Sequence, residues 1–234
     1  MLLAIETSSL VSSVALLKEE KLVAELTIQT RLTHSEQLMP HIKDLLEKTA
    51  TKKSDIHSIA VSVGPGSFTG LRIGLATAKG LAYAWQVPIV GVLTPEGVAW
   101  NCVNLQGLLC PLIDAQQGNV YQTVYSWQKG VLNTIIPTRI ISLDDLLVEL
   151  STSDQAVTFF GDGALLGREK IVTANPDFQL AVPTAVIPRA GSIALAGYER
   201  VKAGKVDDCL SLVPYYMRRS EAEVLWEKRH RESR

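Results

Sequence analysis

Two segments of the chain carry the same order of features, and that order constrains the fold more than anything else in the sequence. Residues 2–6, LLAIE, are a short apolar run closed by an acid, and residues 108–114, LLCPLID, are another. A run of this length bounded by a turn reads as a buried strand. After the first come SSVALLK (12–18) and KLVAELTIQ (21–29), split by Glu19-Glu20 as in a hairpin. After the second come the alternating NVYQTVYSW (119–127) and a strand over 130–140. Each triplet leads into a helix, THSEQLMPHIKDLLEKT in the first and LDDLLVEL (143–150) in the second. In the former, Thr33 and Glu36 have capping-box spacing, and Leu38, Ile42, Leu45 and Leu46 share one face. Pro40 predicts a kink there, or a later effective start. Further strands are expected at 56–63, 87–92 and 156–161. Further helices run to about Trp85, from about Pro95 to Asn104, and over 191–204, while DGALLG (162–167) reads as a turn.

Glu6 and Asp114 thus hold matching places, each ending the first strand of a βββα unit. The pattern predicts an α/β fold made by internal duplication, with two ribonuclease H-like βββαβα units facing each other across a cleft. That is the two-domain actin-like ATPase (ASKHA) architecture, in which the strand 1 to strand 2 turns of the two units grip phosphates. The expected divisions are a first subdomain of residues 1–104 plus 188–219, a second of 105–187, and a C-terminal tail of 220–234.

Composition excludes several classes. With 234 residues, 47% hydrophobic and 20% charged, the chain has ordinary globular character. Its formal net charge of -1 gives no general affinity for nucleic acid or anionic membrane. From Arg218 on, six basic residues face four acidic ones, which reads as a solvated tail. The three cysteines, Cys102, Cys110 and Cys209, have no metal-type spacing and read as reduced thiols of a cytosolic protein. MLLAIETSSL lacks the basic start of a signal peptide, and no apolar run reaches the roughly 18 residues of a spanning helix.

The glycine-rich stretch SVGPGSFTGLRIGLATAKG (62–80) invites a phosphate-loop reading, which its spacing refuses. In a Walker A loop Lys directly follows the second glycine, whereas Leu71 follows Gly70 here and Lys79 comes nine residues later. Gly64-Pro65-Gly66 opens like a dinucleotide loop, but the third glycine falls one place late and Pro65 removes an amide donor. An anion site of another kind at this helix N-terminus stays open. Ser67 or Thr69 can cap the helix. Gly70, Gly74, Ala78 and Ala82 recur every four residues and leave one side almost bare. An interior glycine costs a helix up to about 1 kcal/mol relative to alanine, so another backbone is expected to come close on that side. That backbone belongs either to this chain or to a helix of another protein, with Leu71 and Leu75 flanking the row.

Other chemistry is thinly supported. His34 and His41 share a helical face without a third ligand, and read as surface or interface histidines. No G-x-S-x-G motif is present. Glu6 and Asp114 are weak candidates for metal-phosphate binding, with turn-capping strand-end acids as the alternative. No cofactor is expected.

LLAIETSS, SVGPGSFTGLRIGLATAKGLA, PIVGVLTPEG, PLIDAQQGNVY and LSLVPYYMRR, in this order from residue 2 to about 219, resemble the bacterial TsaB (YeaZ) family. The resemblance implies a noncatalytic paralogue of TsaD, the enzyme that moves a threonylcarbamoyl group onto adenosine 37 of tRNAs reading codons that begin with A. That enzyme carries H-x-E-G-H after the strand matching PIVGV. Here the segment is Thr94-Pro95-Glu96-Gly97-Val98, and neither Thr94 nor Val98 binds a metal as imidazole does. Gln116 stands where the family usually has Arg. The resemblance further implies that the helices matching 34–48 and 69–85 dock on the same pair of TsaD, with a homodimer through that surface when TsaD is absent. The ATPase TsaE then joins through the complex, which also holds the tRNA. The implied interface residues are Leu38, Ile42, Leu45, Gly70, Leu71, Gly74, Leu75, Ala78 and Ala82, and the implied location is the cytoplasm. The competing expectation is an enzyme of the same fold, glycoprotease-like with a metal or a small-molecule kinase using ATP.

Overall fold

A computed structural model describes residues 1–29, 34–218 and 226. Its first unit contains β1 (Leu2–Glu6), β2 (Val11–Lys18), β3 (Lys21–Gln29), α1 (His34–Lys48), β4 (Ser58–Gly64), α2 (Phe68–Trp85), β5 (Ile89–Leu93) and α3 (Thr94–Ala99). The second contains β6 (Leu108–Asp114), β7 (Asn119–Gln128), β8 (Val131–Ser142), α4 (Leu143–Leu150), β9 (Val157–Phe160), α5 (Gly161–Leu166), α6 (Arg168–Ala174), β10 (Phe178–Leu180) and α7 (Pro183–Val186). The chain then returns as α8 (Ala190–Lys202) to the first sheet.

The duplication is exact in topology. The two five-stranded sheets run β3-β2-β1-β4-β5 and β10-β9-β6-β7-β8. In each, the first strand pairs antiparallel with the second and parallel with the fourth, and the acids sit at matching ends, Glu6 opposite Ser13 and Asp114 opposite Val120. Such strands, covered on both faces, need continuous apolar runs, and LLAIE supplies one.

Each sheet is covered twice. One face of the first buries Leu3, Ile5 and Leu16 against α1 and α2, and the other buries Ala4, Leu17 and Val92 against α8. The outer face of the second buries Leu112, Val120 and Val124 under α4, α5 and α6. Its inner face packs Leu109, Ile113, Tyr121 and Tyr125 against Val98 and Ala99 of α3, so one apolar cluster spans both units.

Several local expectations are corrected. DGALLG is largely helical, because Gly161 takes φ +85° and redirects the chain straight into α5. The helix expected from Pro95 to Asn104 ends at Ala99 and continues only as a 3-10 turn over Trp100–Cys102. α1 begins at His34 and runs through Pro40, which is exposed. His41 is buried, with Nδ1 3.3 Å from the Ser12 hydroxyl, and is no surface histidine. The proposed Thr33 cap lies outside the described residues, as does the tail from Ser220 apart from Trp226. Among the described residues no helix is long and apolar enough to cross a membrane.

Candidate functional site

Near the ends of β1, β6 and β9 stand three carboxyls, Glu6, Asp114 and Asp162, that act on one another electrostatically. Glu6 is fully buried. Its Oε1 accepts the Ser8 amide at 2.5 Å, while Oε2 has no hydrogen-bond partner. Burial pushes its proton affinity above the ordinary carboxylate range; the Ser8 contacts oppose this and Asp162 reinforces it. Asp162, at the start of α5, accepts the amides of Asp114 at 3.0 Å and Gly163 at 2.8 Å. Burial raises its affinity as well. Asp114 is exposed and caps its own turn by accepting the Gln116 amide at 2.8 Å. The matched acids therefore differ: one is dry and the other tends a turn. Gln116 and Gln117 are exposed in that turn, both at positive φ.

Sequence reading missed Asp162. Its signal was the glycine pair around it: a Cβ on Gly161 would lie 2.1 Å from the Leu112 carbonyl, so the GDG segment must press against β6. The first unit does the same with Gly66, where a Cβ would lie 2.3 Å from the Ser8 carbonyl.

The helix N-termini at the cleft are served by the chain itself. The Ser67 amide donates to Ser8 O at 2.6 Å, and the Gly70 amide to Ser67 Oγ at 3.2 Å, so the Ser67 cap forms as expected. The anion place considered at the head of α2 is thus crowded by the β1–β2 turn. At the head of α8 the Glu25 carboxylate accepts the Gly191 amide at 3.2 Å and Arg189 Nη2 at 2.5 Å, and Ser13 Oγ accepts the Ala190 amide at 2.9 Å.

Thr94 and Val98, the positions weighed for metal histidines, are both enclosed. Thr94 is fully buried with its hydroxyl 3.0 Å from that of Ser62, and Val98 lies in the apolar cluster shared by the units. Glu96 between them pairs with Arg200, which also donates to the Gly91 carbonyl. A Cβ on Gly97 would lie 2.3 Å from Ile193 Cδ1, the far end of a side chain that would have to shift. Among the described residues no group of three or more His, Cys, Asp or Glu is arranged to hold a metal.

The row of small residues on α2 needs a correction. Gly70, Gly74, Ala78 and Ala82 are all buried within this chain. A Cβ on Gly70 would meet Thr7 O at 2.1 Å and one on Gly74 would meet Thr7 Oγ1 at 2.1 Å, while Thr7 Oγ1 donates to Gly70 O at 2.8 Å. The close group at both glycines belongs to the chain's own β1–β2 turn, its backbone at Gly70 and the Thr7 side chain at Gly74. Leu38, Ile42, Leu45, Leu71 and Leu75 are likewise buried, at 1–5% exposure, so they can brace a docking surface but offer it almost no area. α2 carries a second small-residue row that the spacing argument overlooked. Ala76, Gly80 and Ala84 are exposed, and the space above Gly80 is open. Tyr83 and, on α1, Met39 stand exposed as well.

Comparison with known proteins decides the family. A family model described as TsaD: tRNA N6-adenosine threonylcarbamoyltransferase matches residues 25–226. The chain is 35% identical to the tRNA threonylcarbamoyladenosine biosynthesis protein TsaB of Bacillus subtilis, over 96% of this chain and 97% of that one. The chain belongs to the TsaB (YeaZ) family. The crystal structure of YeaZ from Pseudomonas aeruginosa has a TM-score of 0.76 at 26% identity, over 92% of this chain and 99% of that one. A ROK hexokinase from Thermus thermophilus has a TM-score of 0.50 at 11% identity, over 87% of this chain and 99% of that one, and shows the actin-like fold alone. Membership assigns the chain to biosynthesis of threonylcarbamoyladenosine in tRNA.

Proposed function

We propose that this member of the family is a noncatalytic scaffold subunit that dimerises with TsaD, supports assembly with TsaE, and leaves the tRNA, modified at adenosine 37 in species reading codons that begin with A, to the complex. One observation carries the proposal. The two places that hold metal histidines in the catalytic paralogue are a buried threonine bonded to Ser62 and a valine in the core. An imidazole at Thr94 would lose its bond to Ser62, and one at Val98 would enter the apolar cluster shared by the units. The docking face is then the exposed side of α1 and α2, where Ala76, Gly80 and Ala84 allow a helix to approach closely. The same face serves a homodimer when TsaD is absent, and the working place is the cytoplasm.

Reconstitution tests this. With TsaC, TsaD, TsaE, ATP, threonine, bicarbonate and tRNA, product is expected only when this chain is added. Full yield without it overturns the proposal. ATP turnover by the pure chain that disappears in Glu6→Ala would instead establish the enzyme reading.

A further inference from the structure

The units are joined by two covalent crossings that lie together. One leaves the 3-10 turn at Cys102 for Leu108, and the other leaves α7 at Val186 for α8. Asn101 binds them to each other, its Nδ2 donating to the carbonyls of Ala185 at 2.7 Å and Ile187 at 2.9 Å. Two adjacent crossings make a hinge, and contacts away from it, the shared apolar cluster among them, fix the angle about it.

Residues 205–218 supply such a contact. They first follow the edge strand β5, where the Asp207 amide donates to Ile89 O at 2.9 Å and Asp207 Oδ2 accepts the Gly91 amide at 2.7 Å. Lys79 of α2 holds the middle by donating to the carbonyls of Leu210 at 2.9 Å and Leu212 at 3.0 Å. The Tyr215 amide donates to Val63 O at 2.7 Å. The Tyr216 ring stacks on Phe68 with centroids 4.3 Å apart, and its hydroxyl accepts from Arg72 Nε at 2.9 Å. All these anchors belong to the first unit. The next two residues leave it: Met217 packs into the cluster shared by the units, and Arg218 donates to the Ala115 carbonyl in the β6–β7 turn. The crossing enters β6 at Leu108, and Ala115 follows that strand's other end, so the contact lies roughly 20 Å from the hinge.

We propose that residues 205–218 are a latch that adds to the shared apolar cluster in holding the two units together, with Arg218 as the catch and the Phe68–Tyr216 stack as the fixed end. Hydrogen exchange followed by mass spectrometry on the full chain tests it, with β1 and β4 as internal reference for overall stability. Relative to that reference, Arg218→Ala should speed exchange over residues 115–122 by about fivefold or more. Phe68→Ala should do the same in the second unit by freeing Tyr216, while Arg168→Ala, an exposed arginine elsewhere, should not. Unchanged exchange at 115–122 in either latch variant, or a change confined to 213–218, overturns the latch.

Discussion

Glu6 is fully buried with its Oε2 unbonded among the described residues, and the Asp162 carboxyl adds to the raised proton affinity that burial gives it. A buried carboxyl in such a place favours its neutral form. Because folding raises its affinity for the proton, the unfolded chain ionises first as pH rises through its ordinary value of 4.5. Stability is therefore full below that value and falls as pH climbs toward the higher folded one. Each tenfold change in proton affinity corresponds to about 1.4 kcal/mol. Glu6→Gln removes the ionisation while keeping the acceptor for the Ser8 amide. Its denaturation midpoint should exceed that of the native chain above neutrality and fall back toward it near pH 4. Parallel stability curves for the two proteins from pH 4 to pH 8 would exclude a buried neutral Glu6.

Helix α2 separates packing from docking along a single element. Gly74 faces Thr7, so Gly74→Ala forces a methyl into a gap of 2.1 Å and should cost about 1–3 kcal/mol, with an equal loss of midpoint whether or not TsaD is present. Gly80 faces open space, so Gly80→Leu should keep or raise monomer stability by up to about 1 kcal/mol. If the outer row admits a partner helix, the same change should abolish the complex with TsaD in size-exclusion chromatography; intact binding would place the docking face elsewhere. α8 depends on a residue far from it in sequence. Glu25, at 7% side-chain exposure, accepts the Gly191 amide in its first turn and pairs with Arg189, so Glu25→Ala should cost about 2 kcal/mol by chemical denaturation. The strands and long helices were legible because their runs are apolar with one clear period. The direction of the glycine row was not, because spacing reveals that a backbone comes close but not whose it is: Thr7 lies 67 residues from Gly74 in the chain. β10 and α6 escaped for a different reason: a three-residue strand and a seven-residue helix with one buried residue are too short to show a period. Asp162 was missed since GDG announces a tight turn against a strand but not that its carboxylate accepts the Asp114 amide at the end of β6.

At the scale of the whole molecule, the inner cluster decides whether two units behave as one. Val98 and Ala99 come from the first unit, while Leu109, Ile113, Tyr121, Tyr125 and Phe160 come from the second, and each of them is buried. Tyr125 lies close enough to Glu96 and Arg200 that the Glu96 charge helps hold the phenol protonated, after burial as the main cause. Separating the units would expose this face on both sides, which costs far more than the loss of any single contact. Unfolding should accordingly be one cooperative transition, with calorimetric and van't Hoff enthalpies in agreement. Tyr125→Ala, which opens a cavity in the shared cluster, should lower the stability of the whole by about 3–4 kcal/mol. It should do so without splitting the transition, so that far-ultraviolet dichroism and tryptophan fluorescence report the same midpoint. Trp85 packs against the first unit's core and Trp127 beside the shared cluster, so emission samples both. Two resolved transitions in the native chain would show that the cluster couples the units only weakly, and would leave the 205–218 segment as the main tie between them.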